Sequence, residues 1–223
     1  MCIRDSIYVL TRGGDGPRLD VLDLADGPAA GRRLPGSGLT LPPDGRSITV
    51  HPGGGYALVG GDTGTVHVLD LADPARPRLA GSAPDLGVHA GPVFRPDGRS
   101  ALCLTADGVR DIVLGPPRVV HTWPVPGGPR AVAVSADGTR LFVTRENGGD
   151  LLMLDTRTGT PRFTVPAGTA LAVTAAHPTR ELALVSDEGG GAVVAIDTSA
   201  LSTAGHVDVG LDPRSVVRGS HTT

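Results

Sequence analysis

The chain has 223 residues, 39% of them hydrophobic and 3% aromatic, with a formal net charge of −3. Its 20 basic side chains, all arginine, are scattered among 23 acidic ones, so no clustered cationic face or stacking platform is present for nucleic acid. No apolar run approaches the roughly 18 residues of a membrane-spanning helix, and Cys2 and Cys103 make neither a disulfide framework nor a metal site.

Met1-Cys2-Ile3-Arg4-Asp5-Ser6 reads as the translation of a sequencing-library adapter, so residues 1–6 are set outside the fold. On this reading the native start is missing, and 7–223 is a single-domain fragment whose signal peptide and compartment are undefined. From Ile7 onward, 33 glycines and 20 prolines punctuate Val/Leu/Ala runs at regular spacing, which marks strand ends rather than disorder. Ile7–Arg12, Leu19–Leu24 and Arg32–Leu34 read as three strands of a first unit that lacks its innermost one.

Four later segments share one pattern: Ile48–Val59, Val93–Leu104, Val132–Val143 and Val173–Leu184. Each is an apolar strand, a tight polar turn and a second apolar strand, recurring about every 40 to 45 residues. All-strand patterning at that period predicts an all-β chain, a β-propeller of four-stranded antiparallel blades with about five blades present. With strands lettered a to d from the central channel outward, the blades are expected at Ser47–Gly87, Gly91–Gly127, Ala131–Gly168 and Leu171–Gly210. In the clearest of them, Asp137-Gly138 makes the a–b turn, where glycine accepts a positive φ. Val21-Leu-Asp23, Val68-Leu-Asp70, Met153-Leu-Asp155 and Ala195-Ile-Asp197 end strand c at matching places. Those aspartates are expected to cap the c–d turn through its backbone amides. Pro213–Arg218 supplies one further strand a. Two arrangements are open: the terminal strands pair into a composite blade closing a five-bladed ring, or both ends are cut from a parent with more blades.

Leu141-Phe-Val-Thr144, Glu146-Asn-Gly-Gly149, Leu151-Leu-Met-Leu-Asp-Thr156 and Pro126-Gly-Gly-Pro-Arg-Ala-Val-Ala-Val134 resemble the YVTN-type repeats of lactonase-like seven-bladed propellers. Pro96-Asp-Gly-Arg99 is similar to the a–b turn of WD40-like propellers. The resemblance implies a seven-bladed parent, and its members include lactone hydrolases, surface-layer proteins and binding proteins. No active-site motif matches residue by residue. The Arg-only basic set, with abundant Ala, Gly, Pro, Asp and Val, points to a GC-rich bacterial genome.

The candidate chemistry is sparse. No His-x-x-x-His, His-Glu-x-x-His or Cys-x-x-Cys pattern exists, so neither a metal nor a cofactor is expected. No Gly-x-Ser-x-Gly elbow marks a nucleophile, and Cys103 sits in an apolar strand as packing. Arg46, Arg130 and Arg214 fall in one column just before strand a, where guanidiniums at the channel rim would grip a carboxylate or phosphate. Glu146-Asn147 and Asp187-Glu188 occupy the same b–c hairpin in adjacent blades, and His51 and His177 the same a–b turn. The leading expectation is a binding module for a protein or small acidic ligand, acting through the loop face around the channel. The alternatives are a lactonase-like hydrolase of sugar lactones and an extracytoplasmic structural repeat protein.

Overall fold

A computed structural model describes residues 6–24, 31–114, 116–146, 148–177, 179–210 and 213. Every element among them is a strand. β1 (Ser6–Gly13), β2 (Gly16–Asp23) and β3 (Leu39–Thr40) form a three-stranded antiparallel sheet. β4 (Gly45–Val50), β5 (Tyr56–Gly61), β6 (Gly64–Asp70), β7 (Arg78–Phe94), β8 (Ser100–Thr105), β9 (Gly108–Leu114) and β10 (Pro117–Pro124) follow one another in a seven-stranded sheet. Two four-stranded meanders complete the set: β11 (Pro129–Val134), β12 (Arg140–Arg145), β13 (Asp150–Asp155), β14 (Pro161–Pro166), then β15 (Leu171–Ala176), β16 (Leu182–Asp187), β17 (Ala192–Asp197), β18 (Ser202–Asp208). This is the expected all-β architecture of four-stranded antiparallel blades.

Most strands stand within one or two residues of their expected positions, although β2 begins three residues before Leu19 and β18 four before His206, and two further departures are instructive. Strand d of the second blade and strand a of the third are one 17-residue strand, β7, rather than two separated at Gly87–Gly91. The break expected from Gly87 and the Gly91-Pro92 pair does not form, and Gly87, at φ 65°, lies within the strand without ending it. In the first blade, Arg33 makes only an isolated bridge to Leu22, and Leu39–Thr40 takes up the fourth strand's pairing with Arg18 and Leu19. The expected strand at 213–218 lies outside the described residues except for Pro213.

Contacts divide the chain into two compact units, one running through Cys103 with Ile112–Val120, the other comprising Leu104–Asp111 and His121 onward. In the first, Leu19, Leu41, Ala57, Val59, Leu69 and Leu71 fill the space between the first two blades. The opposite face of the second blade buries Leu58, Val66 and Val88 against Phe94, Ala101, Cys103 and Ile112. Cys103 is thus core packing, as its apolar strand implies. In the second unit, Ala133, Phe142, Leu151, Met153 and Val165 of one blade meet Leu171, Ala183, Val185, Val194 and Ile196 of the next. Inner strands are covered on both faces, which is why their sequences run almost continuously apolar.

The turns repeat as faithfully as the strands. The a–b hairpins close with His51, Arg95, Ser135 and His177 amides donating to the carbonyls of Tyr56, Ser100, Arg140 and Leu182, at 2.8–3.0 Å. Three of the four c–d aspartates cap as expected: Asp70 Oδ1 accepts the Ala72 amide, Asp155 Oδ1 those of Arg157 and Thr158, and Asp197 Oδ1 those of Ser199 and Ala200, while the turn after Asp23 lies outside the described residues. The Arg162 guanidinium, followed by the Arg157 and Thr158 amides, holds the Asp155 carboxyl down to about 2. The Ser135 hydroxyl and the Thr139 amide and hydroxyl do the same for Asp137, also to about 2, against its partial desolvation. A carboxylate held below its ordinary 3.8 stabilises the fold fully above about pH 4 and loses that contribution as pH falls toward 2. The urea midpoint is therefore expected to drop between pH 4 and 2, less steeply in an Asp137→Asn/Asp155→Asn variant. An unchanged pH slope in that variant would show that other carboxylates set the acid limit.

Candidate functional site

At the a–b turns, the histidines spend their Nδ1 atoms on the backbone. His51 Nδ1 accepts the Gly53 amide at 2.9 Å, and its Nε2 donates to the Gly98 carbonyl at 3.1 Å. The ring stacks on Tyr56 at 4.2 Å and meets Phe94 edge-on. Both nitrogens are occupied, so His51 ties two adjacent hairpins together. His177 Nδ1 accepts amides of Thr179 at 3.2 Å and Arg180 at 3.0 Å. A neutral ring acting as acceptor at Nδ1 carries its proton on Nε2, which is left as a donor without a partner among the described residues.

At the other end of the same strands, Arg130 Nη2 donates to Glu188 Oε2 at 2.6 Å, joining two residues that sequence had placed in separate sets. Arg46 is held by Asp62, at the matching b–c position of its own blade. An incoming anion at either arginine competes with a carboxylate already in place. Asp187 is 5% exposed, and its Oδ1 accepts the amides of Thr169 and Ala170. Burial raises this carboxyl, but those amides and the Gly190 amide outweigh it and leave it below the usual range. Asp187 therefore anchors the loop from inside. Glu146 is exposed, its amide bonded to the Gly128 carbonyl as that of Glu188 is to Ala170. Asn147 and Arg214 lie outside the described residues.

The second unit contains a cleft of about 130 Å³ between the a–b turn of the β11–β14 blade and the a–b and c–d turns of the β15–β18 blade. Phe142, Ala176 and Leu182 give it an apolar floor, and Ser135, Asp137, His177, Arg180, Glu181 and Thr198 its polar wall. Most of that wall is internally satisfied. Arg140 Nη1 donates to Glu181 Oε2 at 2.6 Å, and Thr198 Oγ1 donates to the same oxygen at 3.1 Å. Ser135 Oγ donates to Asp137 and accepts the Arg140 amide at 3.0 Å. Among the described residues, donors that remain available include His177 Nε2, the exposed Arg180 guanidinium and the Thr179 hydroxyl. Among the sequence candidates, only His177 lies in this cleft. Arg180, Glu181 and Thr198 carried no motif, and the equivalence of His177 with His51 was the available signal. No group of three or more metal-ligating side chains stands together among the described residues.

No family model matches the sequence, and no curated protein does. Among solved structures, the chain is similar to the beta-propeller domain of Myceliophteria thermophila Cps50 (Swd1), with TM-score 0.63 and 17% identity over 82% of this chain and 64% of that one. It is similar to a chain of the Mitotic Checkpoint Complex, with TM-score 0.73 and 16% identity over 93% and 61%. Hydrazine Synthase of Kuenenia stuttgartiensis follows with TM-score 0.64 and 16% identity over 75% and 50%. The chain thus spans between half and two thirds of the chains it matches, and its fold is a WD40-like β-propeller.

Proposed function

We propose that this chain is a propeller binding scaffold whose cleft between the β11–β14 and β15–β18 blades receives one hydrogen-bond-accepting side chain of a protein partner. The observation that carries this reading is the presence of uncommitted donors, His177 Nε2 and Arg180 among them, above the apolar floor of Phe142, Ala176 and Leu182. A space of about 130 Å³ suits a single side chain. It is well short of the roughly 300–1,000 Å³ of small-molecule pockets. Glu181 is neutralised by Arg140 and Asp137 is held by Ser135 and Thr139, so a carboxylate or carboxamide meets donors with little opposing free charge. The similarity to a chain of a multiprotein assembly is in keeping with an interaction scaffold in general.

An acidic ligand at Arg46 or at Arg130, each taken by itself, would have to displace the carboxylate already bonded there, Asp62 in the one case and Glu188 in the other. The YVTN-type and lactonase-like reading has no support in the cleft, where Ser135 Oγ faces the Asp137 carboxylate instead of a base. Peptides selected on the full chain from a displayed library are expected to share one Glu, Asp, Gln or Asn. They should bind an Arg180→Glu variant roughly tenfold more weakly or worse. Equal affinity for that variant would overturn the assignment to this cleft.

A further inference from the structure

In the second blade, three side chains from distant parts of the sequence form one hydrogen-bonded line. Asp44 precedes β4, His67 lies in β6, and Ser82 lies directly opposite His67 in β7. His67 Nε2 stands 2.9 Å from Asp44 Oδ1, and His67 Nδ1 stands 2.7 Å from Ser82 Oγ. The imidazole is 4% exposed and the carboxylate nearly as well covered, whereas Ser82 is open to solvent.

The protons in this line follow from chemistry. Burial pushes the Asp44 carboxyl up, but its bonds from Thr63 Oγ1, at 2.6 Å, and from His67 outweigh that and leave it below the ordinary carboxylate range. Asp44 is therefore an ionised acceptor, and His67 Nε2 must carry the proton between them. The Nδ1 lone pair then faces Ser82, whose hydroxyl donates to it. A buried carboxylate fixing the tautomer, a base aimed at a hydroxyl and a solvent-open hydroxyl together make an activated nucleophile.

We propose that Ser82 is a nucleophilic serine that takes acyl groups from small, unhindered carboxylic esters, with His67 as general base and Asp44 as its positioning residue. Ser82 Oγ bonds the carbonyl carbon while its proton passes to His67 Nδ1. The ester C–O bond breaks, and the departing alkoxide takes that proton from the imidazolium. Water, deprotonated by His67, then attacks the acyl-serine and releases the acid, returning the proton to Ser82. Among the described residues, the open strand face offers no pocket to bind a long acyl chain, so the reaction relies on the ester's own reactivity, which favours small, unhindered acyl groups.

The test is treatment of the full chain with an alkyl fluorophosphonate, followed by peptide mass mapping and melting of each variant. Modification is expected at Ser82, absent in Ser82→Ala, and slowed about 10²-fold or more in His67→Ala. Because His67→Ala removes a buried side chain, Asp44→Asn is the second variant. It keeps the shape, releases the tautomer and is expected to slow modification by a similar factor while the chain still melts cooperatively. An unmodified Ser82 in the parent chain, or modification at an equal rate in Asp44→Asn, would overturn the proposal.

Discussion

Phe142→Ala is expected to cost about 3–5 kcal/mol, the range for emptying an aromatic core position. Phe142 is 2% exposed and stands where the two blades of the second unit share one cluster, with Leu151 and Met153 on its own blade and Leu171, Val185 and Ile196 on the next. In a repeat architecture, each blade gains stability from its neighbour, so the loss reaches both. For a chain of this length the melting temperature should fall by roughly 6–20 °C. Phe142 also floors the cleft, so peptide binding should weaken alongside. Urea unfolding monitored by far-UV dichroism gives the number. A cost below about 1 kcal/mol would mean that the cluster does not couple the two blades.

Gly149→Ala is the second large effect, expected at about 3 kcal/mol, the upper end for overpacking. A Cβ on Gly149 would lie 2.2 Å from the Gly168 carbonyl oxygen, which is backbone and has no rotamer to yield. The Gly149 carbonyl also accepts the Ala167 and Gly168 amides at 2.9 and 3.1 Å, fixing the two segments against each other. Its neighbour is the internal control. A Cβ on Gly148 would lie 3.1 Å from an Asp150 carboxylate oxygen and 3.2 Å from the Arg145 Cβ, tight contacts relieved by a few tenths of an ångström, so Gly148→Ala should cost under about 1 kcal/mol. Equal costs for the two variants, measured by the same urea titration, would show that the close approach at Gly168 is not what makes glycine necessary.

The blades were legible because strand and turn are local codes. Asp137-Gly138 could be placed from a dipeptide, and Gly138 does adopt φ 72°. The c–d aspartates could be read from their recurrence alone. What depends on two blades meeting was not legible. The arginine column correctly located Arg130 at the start of a strand, but not the Glu188 carboxylate that neutralises it from the following blade. The equivalence of His51 and His177 was visible, yet one ring is closed off by Gly98 of an adjacent hairpin while the other keeps Nε2 for the cleft. The line from Asp44 through His67 to Ser82 carried no motif, since strand register alone brings those residues together. β7 shows the converse: Gly91-Pro92 is a turn-type pair by composition, yet the chain runs through it as one strand.

The most direct test of the binding account is amide chemical-shift mapping of the full chain with a selected acidic or carboxamide peptide. The account predicts that the largest shifts fall on Thr179–Leu182, Ser135–Asp137 and Thr198, and that they vanish in Arg180→Glu. Shifts concentrated instead at Arg130, Glu146 and Glu188, with the cleft amides unmoved, would contradict it and place the ligand at the opposite end of the strands.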